Sequence, residues 1–370
     1  MLVENPEKEA KIKLVLEDGS VFEGFSFGEK KSVAGEVVFN TGMVGYPESL
    51  TDPSYRGQIL ALTYPLVGNY GVPSEKIIGN NMKKFFESKK IQIEGLVVSD
   101  YSHAYSHWSA AKSLAKWLIE NEKPAIYGVD TRALTKKLRE MGTMLGKIVY
   151  YEDVEFDDPN KRNLVAEVSI KEPVIYGEGN SGPTIMAIDC GIKNNIIRCL
   201  LKRGAKVIRV PWDYPIHNGE YKYDGLFISN GPGDPKMCKQ TVSNLKIAME
   251  KDQVIFGICL GNQILALAAG ADTYKLKYGH RSQNQPCVEE GTKRCYITAQ
   301  NHGFAVNSET LPEGWQPWFT NANDNTNEGI KHFKKPWMSV QFHPEAAGGP
   351  VDSEFLFDNF LKLVRENGRG

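Results

Sequence analysis

The sequence has no unbroken apolar stretch close to the roughly 20 residues that a helix needs to cross a bilayer, so we expect no membrane-spanning segment. It also has no excess of charge of one sign. The 44 basic and 45 acidic residues are spread along the chain and give a formal net charge of −1. Proteins that bind nucleic acid carry a basic surface, and this balance therefore predicts no nucleic-acid partner.

Cysteine pairing motifs are absent as well. The six cysteines are irregularly spaced and include no CxxC pair: Cys190, Cys199, Cys238, Cys259, Cys287 and Cys295. The first residues have neither an apolar signal core nor an Arg-rich, acid-poor composition. We therefore expect reduced thiols and a cytoplasmic location, or a mitochondrial one if a transit peptide has been removed.

The first part of the sequence, residues 1–175, has the pattern of a mixed α+β domain. "KIKLVLEDGSVFEGFSFG" predicts two strands joined at Asp18-Gly19, and "GEVVFNTG" and "QILALTYP" predict further strands. "DTRALTKKLREMG" predicts a helix with Asp130 as N-cap and Gly142 at its end. A second helix is predicted in "SHWSAAKSLAKWLIEN" from apolar residues on one face: Trp108, Leu114, Trp117 and Leu118.

The second part, residues 176–370, alternates between strands and helices. A polar segment rich in Pro and Gly precedes it, and we place a domain boundary near residue 175. Strands are predicted in "TIMAID", "KVIRVPW", "GLFISN" and "QVIFGI", with helices between most of them and after the last. This order predicts a doubly wound, mainly parallel α/β domain whose ligand sites lie beyond the carboxyl ends of the strands.

Cys259, in "VIFGICLGNQILALAAG", stands where a buried strand turns into a helix. Gly257 and Gly261 remove Cβ atoms that would crowd such a turn, and the helix N-terminus favours a thiolate. The backbone N–H of Leu260 would face a developing oxyanion. A cysteine nucleophile is one interpretation, and a buried core cysteine at a strand end is the other.

A nucleophilic cysteine needs an imidazole that takes and returns a proton, and a group that orients the ring. "FHPE" contains both, because Pro344 biases His343 toward extended backbone and residues i and i+2 of an extended segment point the same way. Glu345 is therefore predicted on the side of His343. By contrast, His103 and His107 have no acid or cysteine ligand nearby, which favours a surface position over a metal site.

Two further loops have the composition of ligand sites. "SNGPGDP" follows a strand but lacks the G-x-x-x-x-G-K-[ST] pattern, and its Asp234 would repel phosphate, so its glycine N–H groups suit a carboxylate or an oxyanion better. "QNHGF" is either a recognition loop or a plain polar turn. No other stretch predicts a phosphate loop, so we expect no ATP chemistry on this chain alone.

"GICLGNQ" together with "FHPE" resembles the class I, or triad, glutamine amidotransferases. "EVVFNTGMVGYPESLTDPSYRGQILALTYPLVGNYG", "YGVDTRALTKKLRE", "DCGIKNNIIR", "SNGPGDP" and "AQNHGFAV" are similar to the glutaminase subunit, or small chain, of carbamoyl-phosphate synthetase. The likeness extends from about residue 11 to 365. Segments such as "NANDNTNEGI" look closer to animal-type enzymes, in which the glutaminase is fused to the synthetase.

The resemblance implies specific roles. Cys259 would form a glutamyl thioester, His343 would act as base and then acid, and Glu345 would orient His343. Gly231 and Leu260 would be oxyanion donors. The implied glutamine-binding residues are Ser54, Gly231, Gly233, Leu260, Gln263, Asn301, Gly303 and Phe304. From its residues alone, Ser54 reads as an ordinary turn residue after Pro53.

The resemblance also implies a partner. Ammonia would pass to a synthetase large subunit or fused domain, which uses bicarbonate and ATP to make carbamoyl phosphate for pyrimidine or arginine biosynthesis. We expect no metal or cofactor on this chain, with ATP and Mg²⁺ on the partner. Some relatives lack the cysteine and depend on free ammonia, whereas this chain retains Cys259. Two alternatives stay open: a stand-alone cysteine γ-glutamyl hydrolase and a catalytically weak regulatory domain.

Overall fold

A computed structural model describes residues 10–367, which form two compact units. The first unit comprises residues up to 77 and 83–161, and the second comprises 78–82 and the chain from 162 onward. The division at 161/162 lies earlier than the predicted boundary near residue 175. The first residues, on which the predicted location depends, and the very end of the sequence lie outside the described residues.

The elements of the chain up to residue 161 alternate between short strands and short helices. In chain order they are β1 (Lys11–Leu16), β2 (Val21–Ser26), β3 (Val33–Asn40), α1 (Tyr46–Thr51), the 3₁₀ helix Pro53–Tyr55, β4 (Gln58–Leu62), β5 (Val72–Pro73), β6 (Ile77–Ile78), β7 (Met82–Lys83), β8 (Gly95–Val98), β9 (Ala110–Lys112), α2 (Leu114–Glu120), β10 (Ala125–Tyr127), α3 (Thr131–Met141), β11 (Met144–Val149) and the 3₁₀ helix Pro159–Lys161.

Seven strands of the first unit form one closed sheet, in the order β1-β11-β3-β4-β8-β10-β2. β2 pairs back with β1 as the predicted hairpin, with Val15 opposite Val21. β4 pairs in parallel with β3 and with β8, and β8 also pairs in parallel with β10. The other pairings in this sheet are antiparallel. Apolar residues of β3, β4 and β8 pack with Leu50 of α1 and Trp117 of α2, so burial of apolar surface between the sheet and these helices stabilises this unit.

The two helices predicted in this unit are found, with one correction. Asp130 Oδ1 accepts a hydrogen bond from the Ala133 N–H at 2.8 Å, and Gly142 ends α3 with a φ of 105°. The other helix begins only at Leu114, after a Ser113 N-cap. Trp108 lies before it and is 88% exposed, so its place in the apolar spacing was coincidental.

The second unit continues the chain with longer elements. They are α4 (Leu164–Val168), β12 (Val174–Tyr176), β13 (Thr184–Asp189), α5 (Asn194–Lys202), β14 (Lys206–Pro211), β15 (Gly225–Ile228), the 3₁₀ helix Pro235–Met237, α6 (Lys239–Glu250), β16 (Val254–Ile258), α7 (Leu260–Ala269), β17 (Asp272–Glu289), β18 (Cys295–Asn307), the 3₁₀ helix Ser308–Thr310, β19 (Trp315–Asn321), β20 (Asn327–His332), β21 (Trp337–Val340) and α8 (Phe355–Asn367).

One ten-stranded sheet organises the second unit, in the order β12-β14-β13-β15-β16-β21-β20-β19-β17-β18. β14, β13, β15, β16 and β21 are parallel to their neighbours within this central part. β20, β19, β17 and β18 extend it with antiparallel pairings. The predicted doubly wound α/β domain is confirmed, and the antiparallel extension is a feature that the strand-helix alternation did not predict.

Helices cover both faces of the parallel part. Successive residues of each strand enter opposite cores: Phe227 packs on the face that holds α5 and α8, whereas Leu226 and Ile228 pack on the face that holds α6 and α7. This alternation follows from the two-residue period of a strand. No helix within residues 10–367 is both long and apolar enough to cross a membrane.

Candidate active site

Cys259 lies at the carboxyl end of β16, immediately before α7. Its φ of 56° and ψ of −104° are unusual for a residue other than glycine, and its side chain is buried. Such backbone strain persists only where the surrounding structure imposes it, and it is often found at active sites. The Cys259 N–H donates to Val340 O at 2.8 Å, which ties the turn to the neighbouring strand.

The two glycines beside Cys259 are required by close backbone approach. A Cβ atom at Gly257 would lie 2.6 Å from the carbonyl oxygen of Gly261, and one at Gly261 would lie 2.2 Å from the carbonyl oxygen of Ile228. Both distances are shorter than real Cβ contacts allow. The turn that the sequence predicts around Cys259 therefore needs glycine at both positions.

His343 and Glu345 follow β21, the strand next to β16 in the sheet. His343 Nδ1 lies 2.7 Å from Glu345 Oε1, and both side chains are buried. The carboxylate reaches the ring through a turn, closed by the Ala346 N–H on His343 O at 3.2 Å, and not through the extended backbone that was predicted. The pairing of His343 with Glu345 is therefore present, with a different local cause.

The charges of this pair are set by their neighbours. Burial disfavours the imidazolium, but the Glu345 carboxylate and Cys259 outweigh it and raise the pKa of His343. Burial likewise opposes ionisation of Glu345, yet Lys193 and His343 lower the pKa of that carboxyl. The second ring nitrogen of His343, Nε2, has no hydrogen-bond partner among the described residues. The imidazole thus keeps one nitrogen available for proton transfer.

Lys193 is a residue that the sequence analysis did not single out. It precedes α5, its side chain is buried, and its Nζ lies 2.9 Å from Glu345 Oε1. Its backbone N–H also donates to Asn230 Oδ1 at 3.1 Å. Glu345 is therefore held between a lysine and the histidine, an arrangement for which local sequence contains no signal because the partners are far apart along the chain.

The two residues predicted to supply the oxyanion donors, Gly231 and Leu260, lie close together. An ideal Cβ at Gly231 would fall 2.9 Å from Leu260 Cδ2 and 2.0 Å from the carbonyl oxygen of Cys190. Leu260 is the first residue of α7, where backbone N–H groups have no partner within the helix. Gly233 belongs to the same loop as Gly231 and has a φ of +85°.

The predicted recognition residues of β18 border the thiol. The Cys259 thiol donates to Asn301 O at 3.6 Å, and Gln263 Nε2 donates to Phe304 O at 2.8 Å. Gly303 lies between Asn301 and Phe304 on β18. Within the second unit, the structure thus groups Cys259 with these residues, although "QNHGF" forms part of a strand and not the predicted loop.

Ser54 is the one predicted site residue in the first unit. It is buried in the 3₁₀ helix Pro53–Tyr55, and its backbone N–H donates to Asp52 Oδ1 at 2.9 Å. The turn that the residues alone predicted is therefore present. Its role toward glutamine remains a prediction. His103 and His107 are exposed, in agreement with the surface interpretation.

Two family models match the chain in sequence. "Carbamoyl-phosphate synthase small chain, CPSase domain" matches residues 14–148, and "Glutamine amidotransferase class-I" matches residues 186–363. Together they cover both units and confirm the two resemblances inferred from the motifs.

Similar proteins occur both as fused and as separate chains. The multifunctional protein CAD of Squalus acanthias is 57% identical over 95% of this chain, which spans 16% of that protein. The mitochondrial carbamoyl-phosphate synthase [ammonia] of Homo sapiens is 52% identical over 95% of this chain, and the match covers 24% of that protein. The carbamoyl phosphate synthase arginine-specific small chain of Aspergillus oryzae is 51% identical, with 95% of this chain and 80% of that protein covered.

Proposed function

The chain belongs to the carbamoyl-phosphate synthase small-chain family, and on that basis we propose that it hydrolyses glutamine through Cys259 and supplies the ammonia to a carbamoyl-phosphate synthetase. The observation that supports this most is the grouping of Cys259, His343 and Glu345 beside the N-terminus of α7. The chain spans only about a sixth to a quarter of its fused relatives, so the activity of a whole synthetase is not assigned to it.

The first half of the reaction is acyl transfer to sulfur. The Cys259 thiolate attacks the side-chain carbonyl carbon of glutamine, a C–S bond forms, and the oxygen takes up the negative charge. The N–H groups of Gly231 and Leu260 would stabilise that oxyanion. His343 then donates a proton to the nitrogen, the C–N bond breaks, and ammonia leaves the glutamyl thioester.

The second half returns the enzyme to its starting state. His343 takes a proton from water, whose oxygen attacks the thioester carbonyl, and the C–S bond breaks to release glutamate and the Cys259 thiolate. Glu345 orients the ring and stabilises the imidazolium, which donates its proton in the first half and forms again in the second. In this scheme Gly233, Gln263, Asn301, Gly303 and Phe304 hold the substrate, and Ser54 is proposed for the same role from the family resemblance alone.

The partner is a synthetase large subunit or a fused synthetase domain, by analogy with the similar chains. ATP and Mg²⁺ would act there. The retained Cys259 supports glutamine as the nitrogen source in place of free ammonia. We propose a cytoplasmic location, or a mitochondrial one, since one relative that is 52% identical to this chain is a mitochondrial enzyme.

The experiment is glutamate release from glutamine by the purified chain, measured with and without a carbamoyl-phosphate synthetase large subunit. A Cys259→Ser chain is the matched control. Release that depends on Cys259 and rises with the partner supports a coupled glutaminase. Rapid turnover of γ-glutamyl peptides without the partner would instead identify a stand-alone hydrolase, and inertness with the partner would identify a regulatory domain.

A further inference from the structure

Three buried side chains with metal-binding atoms lie close together at β18, the strand that borders Cys259. His280 of β17, His302 of β18 and Glu328 of β20 each offer one donor atom, and these atoms lie within 4.8 Å of one another. Their residues are 8%, 5% and 0% exposed. Ionisable groups are seldom buried this deeply unless they are paired or bind a metal ion.

The separations of the donor atoms suit a single small ion. His280 Nδ1 lies 3.3 Å from Glu328 Oε1, and His302 Nε2 lies 4.0 Å from the same oxygen. Two ligands at about 2.0–2.1 Å from a tetrahedral zinc ion are about 3.4 Å apart. The His280–Glu328 distance is close to this value, and the donor atoms of all three residues lie within 4.8 Å of one another. Side-chain shifts of up to about 1 Å would therefore bring all three onto one ion.

The outer nitrogens of both histidines already have the partners that metal-binding histidines use. His302 Nδ1 lies 2.8 Å from Phe304 O and Nε2 lies 3.2 Å from Gln300 Oε1, and a neutral imidazole can donate to only one of these two acceptors. Donation to the closer oxygen, Phe304 O, leaves Nε2 with a lone pair. His280 Nε2 lies 2.8 Å from Asp324 Oδ2. Histidines that bind a metal usually donate their other N–H to a carbonyl or a carboxylate in this way.

The His280 and Glu328 atoms that face the centre of the cluster, by contrast, are not fully hydrogen-bonded. Glu328 Oε2 is buried and has no hydrogen-bond partner among the described residues. Glu328 Oε1 accepts from Asn321 Nδ2 at 3.0 Å, and the only contact of His280 Nδ1 in this cluster is its 3.3 Å approach to that same oxygen. Leaving such a group unsatisfied is unfavourable, and a metal ion would remove that cost. Gln300 Oε1 lies 3.2 Å from His302 Nε2 and is placed to act as a fourth donor.

We propose that His280, His302 and Glu328 bind one divalent transition-metal ion, with zinc as the ion whose ligand preferences they match. This departs from the expectation that the chain holds no metal. The enclosed position assigns the ion a structural role. Because Asn301 and Gly303 flank His302 and Asn301 O contacts the Cys259 thiol, the ion would hold this part of β18 in place.

The competing state has a proton in place of the metal. His280 would then be an imidazolium between Asp324 and Glu328. The two states differ in a direct measurement. A protonated cluster binds no zinc, whereas a metal site binds one equivalent and is weakened by changes to ligands and to their outer partners.

The test is zinc titration of the full chain after removal of metal by a chelator, followed by calorimetry and by competition with a chromophoric chelator. All variants carry Cys259→Ser, so that the active-site thiol is not a ligand. We expect one equivalent of zinc, bound at least about 100-fold more weakly in His280→Asn and Glu328→Gln and about 10-fold to 100-fold more weakly in Asp324→Asn. His103→Asn and His107→Asn, which change exposed histidines, are the controls and should bind as the parent does.

Cobalt and heat provide independent readouts. Bound Co²⁺ should show visible d–d bands without thiolate charge transfer, and zinc should raise the unfolding temperature of the parent but not of Glu328→Gln. Absence of stoichiometric binding, or equal affinity in folded His280→Asn or Asp324→Asn, would overturn the proposal. Asp324 is partly exposed, so its variant keeps the test decisive if a ligand variant fails to fold.

Discussion

Replacement of Lys193 by methionine tests whether the buried charge arrangement beside Cys259 stabilises the second unit. The side chains of Lys193 and Glu345 are 8% and 0% exposed, and their charged atoms are 2.9 Å apart. Removing one partner of a buried ion pair costs about 3–5 kcal/mol, because the remaining charge is left uncompensated. His343 still contacts Glu345 at 2.7 Å, so we expect the lower end of that range.

A loss of about 3 kcal/mol lowers the unfolding temperature of a domain of this size by roughly 6–12 °C. The matched control is Lys202→Met, at the far end of α5, the helix that Lys193 precedes. Lys202 also pairs with a glutamate, Glu354 at 3.3 Å, but its side chain is 72% exposed, and exposed pairs contribute about 0–1 kcal/mol. Urea and thermal unfolding of the two variants give the comparison.

Catalysis supplies the second readout for Lys193. Its charge opposes the imidazolium of His343 and favours the carboxylate of Glu345, so Lys193→Met should raise the pKa of both groups. We expect a lower kcat for glutamine hydrolysis from a less firmly oriented His343, whereas Lys202→Met should leave kcat unchanged. Equal stability and equal kcat in the two variants would refute the reasoning.

Three other variants test separate parts of the site. His343→Asn should lower glutamine hydrolysis at least about 100-fold, the low end for loss of a general acid–base, and near-normal kinetics would remove His343 from the mechanism. Glu345→Gln should lower the pKa of His343, because the neutral amide no longer favours the imidazolium. NMR should show the ring losing its proton at lower pH, and an unchanged titration would contradict this. Gly261→Ala should destabilise the chain by about 1–3 kcal/mol or more through its clash with Ile228, whereas Gly179→Ala, with open space around it, should not; equal unfolding curves would contradict the tight turn.

Features that depend on neighbouring residues could be predicted from the sequence. The β1–β2 hairpin, the Asp130 cap and the glycine-flanked turn at Cys259 all follow from local backbone requirements. The doubly wound core followed from the order of strands and helices, because βα alternation restricts the topology. Trp108 shows the limit of this approach, since apolar spacing alone extended a helix into exposed chain.

Features that depend on distant residues could not be predicted. Lys193 acts through Glu345, which lies far along the chain, and only the parallel sheet brings the two together. The antiparallel strands β17–β20 place His280, His302 and Glu328 at one point, although their sequence spacing has no metal-binding pattern. The family resemblance suggested Gln263 and Asn301, but their contacts with Phe304 and the thiol came from the structure.

The central claim is that Cys259 carries the glutamyl group, and acid-quenched reactions with isotope-labelled glutamine test it most directly. The quenched chain is digested with a protease, and the masses of its peptides are measured by mass spectrometry. We predict a labelled glutamyl adduct on the peptide that contains Cys259, present during turnover and absent from the Cys259→Ser chain. Sustained glutamate release with no adduct on that peptide, or with equal release by Cys259→Ser, would contradict the account.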